Sequence, residues 1–340
     1  MAITLHDVAL RAGVSIKTVS NVVNGYAHVS TATRSRVEQA VAELGYRPNL
    51  SARSMRGGRS GILALAVPEL GVPYFAELAQ SVIRAAEREG FIVLIDQTEG
   101  RLDRERLVCR GIRSQLIDGL IFSPLALDSD ELAARTDRIP MVLLGERIAG
   151  TADHVVIDNI EAARQAVTHL AGLGRTRIAA VGAQHSKMGE TARLRLAGYK
   201  SALADAGLPF RPELVAETPS FHRHDGAAAM AWLLDSGARP DAVFAFNDLT
   251  ALGVMRACYD RGVRVPADVA VIGFDDLEEG RYAVPSLSTI SPDKDFIGQT
   301  AVRLLATRLA QPAQGDFQAD EIIAPHRLEA RESTMGRGKR

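Results

Sequence analysis

The stretch LHDVALRAGVSIKTVSNVVNG, residues 5–25, decides the fold of the N-terminal part of the chain. Its apolar residues recur at helical spacing, and no strand-like alternation interrupts them. Thr4 stands where a helix N-cap is expected, Gly13 supplies a turn, and Ser15 can cap the next helix. The stretch therefore predicts two short helices, over residues 5–12 and 16–24, joined by a tight turn.

A third helix is predicted directly after this stretch. Gly25 ends the second helix, Ser30 caps the third, and Gly45 stops it. The buried stripe of the third helix is formed by Val37, Ala40, Val41 and Leu44. Residues 1–46 are therefore expected to form a compact all-α domain of three helices.

Residues 46–60, YRPNLSARSMRGGRS, read as a linker because they contain four arginines and little apolar surface to bury. Residues 49–56 can form two helical turns, which are too short to persist alone in water because helix nucleation is unfavourable. We expect the folding of this segment, within a linker over residues 47–60, to depend on a partner.

Beyond residue 61 apolar strands alternate with amphipathic helices, which is typical of parallel α/β construction. One such series begins at Ile62–Val67 and a comparable one begins near Asn159, so the pattern predicts two similar lobes with a ligand cleft between them. The first lobe is expected over about 61–158 and 292–320, and the second over about 159–291. The core ends near residue 330, and 331–340 is expected to be a disordered basic tail without coiled-coil heptads.

Charge is distributed unevenly along the 340 residues, whose 46% hydrophobic and 24% charged composition is that of ordinary globular protein. Residues 1–60 contain eight Lys/Arg and three Asp/Glu, a balance of +5, which leaves −6 for the rest of a chain with net charge −1. A basic head on a mildly acidic body is what a DNA-binding module attached to a ligand-binding domain shows.

Several function classes are disfavoured by the sequence. The N-terminus resembles no secretory leader and no apolar run reaches the ~20 residues of a membrane span, so we expect a cytoplasmic protein without a membrane partner. Cys109 and Cys258 are too far apart to suggest a disulfide framework or a metal knuckle. The run His222-Arg-His224-Asp225 lacks a third separated ligand, so no metal and no cofactor are expected.

Residues 5–25, together with His28-Val-Ser, residues 42–49 (AELGYRPN) and Ala52-Arg53, closely resemble the LacI family of repressors, and the α/β pattern follows the family to about residue 330. The resemblance implies a helix-turn-helix head, a hinge helix and a two-lobed core like that of periplasmic binding proteins. It also implies a homodimeric, sequence-specific regulator of transcription. The expected function is repression of carbohydrate-utilisation genes from a near-palindromic DNA operator, switched by a small sugar-like effector.

By this resemblance the exposed face of the second helix reads bases in the major groove, through Ile16, Lys17 and Asn21. Many relatives have arginine where this chain has Asn21, so no known operator can be borrowed, and all three residues could instead be solvated surface. Contacts to phosphates are expected from Ser15, Thr18, Ser20, Asn24 and Ser30. For Ser15 and Ser30 helix capping is an equally good interpretation.

The family folds the linker into a hinge helix when two subunits meet on the operator, and the paired helices enter the minor groove. The residues carried over to this role are Asn49, Ala52, Arg53, Met55 and Arg56. Met55 stands at the position that wedges between base steps, where most relatives have leucine. A methionine wedge is more flexible than a leucine wedge.

The resemblance also assigns the effector contacts, which are Tyr74, Phe75, Arg195, Phe221, Asn247, Asp248 and Asp275. Tyr74 and Phe75 face the cleft or pack as core at a helix start, and Arg195 and Asp275 bind effector or form a salt bridge between lobes. Asp276 is expected to cap or support its neighbours. The segment 144–147 and Pro292 depart from sugar-responsive relatives, so the effector is not identified by the sequence.

Three other functions are weighed against this one. An enzyme on the same body lacks support, because Gly172-Leu-Gly174 stands in the wrong context for a dinucleotide fingerprint and no nucleophile elbow occurs. A transport sugar-binding protein would need export, and the basic head argues against it. An architectural DNA binder would show little preference for one palindrome over random DNA.

Overall fold

The computed structural model describes residues 3–23, 26, 29–46, 59–109, 116–135, 139–145, 151–184, 189–310 and 318–336. The chain divides into two compact units, Met1–Ser60 and Gly61–Arg340, which we call the head and the body. Some of the predicted DNA contacts lie outside the described residues; these are Asn24, Asn49, Ala52, Arg53, Met55 and Arg56.

The head contains three described helices, α1 (Leu5–Ala12), α2 (Ile16–Val23) and α3 (Thr31–Leu44). Thr4 and Asp7 form a capping box, in which the backbone N–H of each donates to the side chain of the other. Gly13 ends α1 in the left-handed region at φ 64°, which glycine adopts without steric strain. The predicted helix boundaries in the head are confirmed to within one residue.

Valine and alanine side chains form the core of the head. These side chains are small, so the three helices can approach one another closely. Val41 and Leu44, which were predicted to lie in the buried stripe of α3, are half-buried and pack against this core. The fully enclosed members are Val8, Ala9, Ala12, Val19, Val22, Val37 and Ala40.

In the body, strands and helices alternate as predicted. The elements are β1 (Ile62–Val67), α4 (Pro73–Arg88), β2 (Ile92–Gln97), α5 (Leu102–Cys109), β3 (Gly119–Phe122), α6 (Ser129–Ala133), β4 (Met141–Leu144), β5 (Asp153–Ile157), α7 (Asn159–Gly172), β6 (Ile178–Ala183), α8 (Glu190–Asp205), β7 (Val215–Glu217), α9 (Arg223–Asp235), β8 (Ala242–Ala245), α10 (Asp248–Asp260), β9 (Ala270–Phe274), α11 (Glu278–Arg281), β10 (Ser288–Pro292), α12 (Lys294–Ala310), β11 (Glu321–Ala324), β12 (His326–Glu329) and α13 (Glu332–Met335).

Two six-stranded sheets organise these elements into two lobes. The first sheet has the order β11-β5-β4-β3-β1-β2, and all its pairs are parallel. The second has the order β12-β10-β9-β8-β6-β7 and is parallel except for β12, which runs antiparallel to β10. β1, β3 and β8 are buried along their whole length, which explains why they read as uninterrupted apolar runs.

The chain crosses between the lobes three times, after β5, after β10 and after β11. α12 packs on α4 and belongs to the first lobe. The structure extends the predicted lobes, because β11 joins the first sheet and β12 joins the second. The first lobe therefore includes residues up to 324, and the second includes 326–336.

The prediction of a disordered tail over 331–340 is wrong for residues 331–336, which pack on the second sheet. Ser333 Oγ donates to the backbone oxygen of Val271 at 2.6 Å and accepts from the backbone N–H of Ser288 at 2.8 Å. Arg331 donates to the backbone oxygen of Leu287 at 2.9 Å. Hydrogen bonds of serine and arginine side chains fix this segment, so it carries no apolar signal in the sequence.

Glycines allow α9 and α10 to pack backbone to backbone. A Cβ atom on Gly226 would lie 2.2 Å from the backbone oxygen of Thr250, and one on Gly253 would lie 1.9 Å from that of Arg223. Both contacts involve backbone, which cannot move aside as a side-chain end can. The second lobe therefore requires glycine at these two positions.

We expect Gly253→Ala to lower the free energy of unfolding of the body by about 1–3 kcal/mol, because overpacking forces the two helices apart. Gly172→Ala is the matched control, since a Cβ atom there meets no atom within 4 Å. Urea unfolding of both variants measures the effect. Equal unfolding midpoints for the two variants would contradict this account of the helix packing.

Candidate nucleic-acid interface and ligand cavity

The three predicted base-reading residues lie on one exposed face of α2. Val19 and Val22 are buried on the opposite face, whereas Ile16 and Lys17 are exposed and Asn21 is half-buried. At about 100° per residue, Ile16, Lys17 and Asn21 span an arc of roughly 140° that faces away from the head's core. α2 thus presents an apolar, a cationic and an amide side chain together.

Ser20 falls within the same arc, between Ile16 and Lys17 on the helix surface. A phosphate contact is predicted for Ser20 from the sequence, but the position of Ser20 on α2 is equally suited to contact with the edge of a base. A serine hydroxyl can donate to or accept from any of the four bases. Ser20 therefore belongs with the candidate reading face of α2.

Ser15 and Ser30 act as helix caps in the structure. Ser15 Oγ accepts from the backbone N–H of Thr18 at 3.1 Å and lies 2.8 Å from Thr18 Oγ1. Ser30 Oγ accepts from the backbone N–H of Thr33 at 3.4 Å. Phosphate contacts from Ser15, Thr18 and Ser30 stay predictions. Helix capping alone explains why serine occurs at positions 15 and 30.

In the body, a cavity of about 300 Å³ lies between the two lobes, at the carboxyl ends of their strands. The first lobe contributes the segment after β1 and the start of α4, and the second contributes the start of α8 and the segments after β7, β8 and β9. Six of the predicted effector contacts line it, namely Tyr74, Phe75, Arg195, Phe221, Asn247 and Asp275.

Three aromatic side chains give this cavity an apolar side. Tyr74 and Phe75 lie edge to face, with ring centroids 5.3 Å apart, and both also pack against the core cluster of the body. The two interpretations of these residues, cleft and core, therefore both hold. Phe221 likewise lines the cavity while packing against that core.

Arg195 is the buried cation of the cavity wall. Its Nε donates to Asn159 Oδ1 at 2.7 Å, another of its nitrogens donates to the backbone oxygen of Phe246, and its guanidinium lies 3.5 Å above the ring of Phe274. These contacts hold the guanidinium plane in one orientation, so it meets a ligand without first being ordered.

Asn247 positions the aromatic side of the cavity. Its Nδ2 donates to the backbone oxygen of Phe221 at 3.1 Å, while its Oδ1 caps α10 by accepting from the backbone N–H of Thr250 at 2.9 Å. Substituting Asn247 would therefore disturb Phe221 as well as any direct ligand contact.

Asp248 is fully buried and lies outside the cavity lining, contrary to the predicted effector contact. It is the first residue of α10, and its two oxygens accept from Thr289 Oγ1 at 2.7 Å and from the backbone N–H of Leu277 at 2.8 Å. Burial raises the pKa of Asp248 to about 6. The sequence placed it correctly after a strand, but the helix start turns its side chain into the second lobe.

Asp275 is a buried acidic residue of the cavity wall and is held in an unusual backbone conformation. Its φ is 120° and that of Asp276 is 51°, so two successive non-glycine residues occupy the region that L-residues rarely adopt. Burial raises the pKa of Asp275 to about 7, and the charge of Arg195 opposes this shift. We call residues 275 and 276 the Asp275 turn.

Asp276 supports this turn, as predicted from the sequence. Its carboxylate lies 2.7 Å from Arg281 and 2.5 Å from Arg331, and it accepts from Ser291 Oγ at 2.9 Å. Burial alone would raise the pKa of Asp276, but the hydrogen bonds from Arg281 and Arg331 outweigh it and lower the pKa. Asp276 is therefore an ionised anchor.

Glu69 and His222 also line the cavity and were missed as ligand contacts. They belong to different lobes, and His222 Nε2 lies 3.4 Å from Glu69 Oε2. The one signal in the sequence that could have placed Glu69 at the cavity is its position two residues after the end of β1. Within the described ranges no group of three or more His, Cys, Asp or Glu side chains is arranged to hold a metal ion.

A second cavity, of about 450 Å³, lies against the edge strand β7 and one face of α9, beside Trp232. It is lined by the second lobe alone. The cavity between the lobes is the better ligand site, because polar side chains converge on it from both lobes and include Asp275, whose pKa is strongly raised.

Comparison with known proteins gives the same division of the chain. The family description "Bacterial regulatory proteins, lacI family" matches residues 4–49, and "Periplasmic binding protein-like domain" matches residues 167–334. The "Ribose operon repressor" of Escherichia coli (strain K12) is 34% identical over 312 residues, which are 91% of this chain and 94% of that relative. The chain belongs to the lacI family.

Nearly the whole chain is similar to solved structures of transcription regulators. One is the lac repressor dimer bound to operator and the anti-inducer ONPF, with a TM-score of 0.83, 30% identity, and coverage of 98% of this chain and 99% of that chain. The other is a complex of the transcriptional regulator CelR with cellobiose, with a TM-score of 0.71, 32% identity, and coverage of 97% and 99%.

As a lacI-family member, the chain is a DNA-binding transcription regulator, and the predictions of family, fold and general function are confirmed. These relatives are regulators of transcription rather than enzymes. Within the described residues no helix is both long and apolar enough to cross a membrane.

We expect Lys17→Ala and Asn21→Ala to weaken binding to the cognate operator by about 1–3 kcal/mol and to change binding to random DNA far less, because base contacts specify and phosphate contacts do not. Arg36→Ala, an exposed change on α3, controls for lost charge. Binding is measured by fluorescence anisotropy at one fixed salt concentration. Equal losses on operator and random DNA would contradict the assignment of the α2 face.

The raised pKa of Asp275 predicts a pH-dependent stability. From its ordinary pKa of 3.8 up to about 7 the folded chain keeps a proton that the unfolded chain loses, so this stabilising contribution is complete below pH 3.8 and disappears as the pH rises through 7. Asp275→Asn removes this dependence. As the pH rises from about 4 to 7, the free energy of unfolding of the variant therefore increases relative to that of the wild type.

Urea unfolding of the wild type, Asp275→Asn and the exposed control Asp130→Asn at several pH values checks this expectation. A stability difference between wild type and Asp275→Asn that stays constant over the whole range would show that the carboxyl of Asp275 does not titrate there.

Proposed function

We propose that this lacI-family regulator is a homodimeric repressor of carbohydrate-utilisation genes, whose affinity for a near-palindromic operator is switched by a small sugar-like effector in the cavity between the lobes. The observation that carries the proposal is the composition of that cavity. Aromatic rings, a buried carboxyl, a buried guanidinium and an amide all line this one cavity.

This composition matches the chemistry of a sugar. A sugar ring has an apolar C–H face, which suits the rings of Tyr74 and Phe221, and an edge of hydroxyl groups that both donate and accept. Asp275 supplies the acceptor for paired hydroxyls, and Arg195 supplies donors. A cavity of about 300 Å³ is at the small end of ligand sites, which favours a small sugar.

The names of relatives support the same class of effector. One relative is named for the ribose operon, and one structural neighbour was solved with cellobiose. Segment 144–147 and Pro292 depart from some sugar-responsive relatives. We therefore propose a sugar as the class of effector and do not name an individual sugar.

Dimerisation is proposed because one three-helix head contacts too few base pairs for a unique site, whereas two heads on a palindrome double the contacts. Exposed apolar side chains on the body are consistent with a subunit interface. Ile92 and Leu94 are exposed on β2, at the edge of the first sheet, and Tyr259, Tyr282 and Val284 are more than three-quarters exposed in the second lobe.

The hinge assignments remain part of this proposal. Asn49, Ala52, Arg53, Met55 and Arg56 would form a helix in the minor groove once two heads occupy the operator, with Met55 as the wedge. Met55→Ala would then reduce operator bending while the affinity for effector stays unchanged.

Screening sugars against operator binding by the purified chain tests the proposal. We expect at least one sugar, from a panel that includes ribose and cellobiose, to change operator affinity tenfold or more. Asp275→Asn should reduce that response at least tenfold while sugar-free operator affinity stays the same, because the buried acceptor pairs with the effector.

Asp130→Asn, an exposed substitution on α6, is the matched control and should respond like the wild type. An operator response that is equally strong in Asp275→Asn and in the wild type would place the effector elsewhere. A chain that binds its operator and ignores every sugar would refute the class of effector.

A further inference from the structure

Side-chain contacts link the two lobes of the body in addition to the three chain crossings. One largely buried set of these contacts centres on Lys294, the first residue of α12 in the first lobe. Its Nζ lies 2.7 Å from Glu77 Oε2, and the two side chains are 14% and 29% exposed. Glu77 lies on α4, one helical turn after Tyr74 of the cavity.

Lys294 also reaches the second lobe. Its Nζ donates to the backbone oxygen of Asp275 and, at 3.2 Å, to that of Asp276. An ammonium group has three N–H donors, and Glu77 and these two carbonyl groups provide three acceptors. The three N–H donors of Lys294 thus have acceptors on α4 and on the Asp275 turn.

Glu77 makes a second contact across the lobes. Its other oxygen, Oε1, accepts from the backbone N–H of Glu278 at 3.4 Å, two residues beyond the Asp275 turn. A single carboxylate on α4 therefore touches both Lys294 and the second-lobe backbone. We call Glu77 and Lys294, with the backbone groups they contact, the interlobe strap.

The Asp275 turn needs such support because its backbone is strained. Positive φ values at two successive aspartates raise the energy of the turn, and such residues persist only where their surroundings hold them. Arg281, Arg331 and Thr289 contact the turn from within the second lobe. Lys294 contacts it from the first lobe.

We infer that Lys294 is a positioning residue for the effector site. Together with Glu77 it fixes the position of the Asp275 carboxyl relative to the aromatic rings of α4. The position of Asp275 and the angle between the lobes therefore change together. The inference rests on the proposed function in one respect, that the cavity between the lobes is the effector site. A ligand that shifts the Asp275 turn would then shift α4 through the strap, which is a physical route from cavity to lobe angle.

Burial separates this strap from an ordinary surface ion pair. Exposed pairs contribute little because water screens them. Loss of Lys294 would take this donor from Glu77 Oε2 and from two backbone carbonyl groups in a largely enclosed place, which weakens the turn directly. The pair His222 and Glu69 also joins the lobes, but its side chains are 35% and 44% exposed, so it serves as a natural comparison.

Hydrogen exchange of the full-length, sugar-free protein tests the inference. The backbone N–H groups of residues 275–278 are all hydrogen-bonded in the structure, so their exchange rates report on the turn. We expect Lys294→Met to accelerate their exchange about tenfold or more, and Glu77→Gln to accelerate it less, because glutamine keeps an acceptor. Lys294→Arg keeps a cation and its donors and should restore rates near those of the wild type.

Two controls separate positioning from general destabilisation. Glu69→Gln removes the exposed contact between the lobes and should leave residues 275–278 unchanged. Peptides from β1 and β3, in the core of the first lobe, should exchange at wild-type rates in every variant. Acceleration of those peptides together with the turn would mean that Lys294→Met loosens the whole body, and it would overturn the positioning role.

A distance measurement tests the link to lobe angle. Cys109 and Cys258 are buried, so spin labels can be directed to cysteines introduced at the exposed positions Glu87 of α4 and Lys200 of α8. Without sugar, Lys294→Met should broaden the distance distribution between the labels, whereas Glu69→Gln should not. Unchanged distances and unchanged exchange at the turn would refute the inference. Both measurements are made without sugar, so they decide it even if the sugar screen refutes the proposed effector.

Discussion

The triple crossing of the chain between the two lobes is the constraint on which the chemistry of the body depends. Apart from β12, the strands of each sheet are parallel, and their carboxyl ends point toward the crossings. The polar residues that follow these strands therefore meet in one cavity. None of these residues needs to be near another in the sequence. Tyr74, Arg195 and Asp275 come from three separate segments and are brought together only by this topology.

Within this cavity, strain and charge are concentrated at the Asp275 turn. A buried carboxyl with a pKa near 7 sits on a backbone that L-residues rarely adopt, next to a guanidinium oriented by Asn159 and Phe246. A buried carboxyl on a strained backbone lowers stability, and such arrangements are typical of functional sites. Contacts from both lobes hold the turn, so any ligand that engages Asp275 acts on both lobes.

Much of the fold is predictable from local signals in the sequence. α1 and α3 have the predicted boundaries because caps, glycine stops and apolar periodicity all agree there, and β1 has them because its apolar run is uninterrupted. The failures share a physical cause. Asp248 was misplaced because the sequence does not show which way the first residue of a helix turns, and α13 was missed because buried hydrogen bonds from serine and arginine fix it. Lys294 and Glu77 carry no motif at all, since their partnership exists only after the lobes pack.

We propose that a dimer of this regulator recognises a symmetric DNA site and that a small molecule in the body controls this recognition. A genome-wide selection of duplexes by the purified full-length chain at low ionic strength, with and without a mixture of sugars, tests both parts of the proposal. We expect enrichment of one near-palindromic sequence and a change in its recovery when sugars are added. Recovery of no common sequence under either condition would refute the proposal.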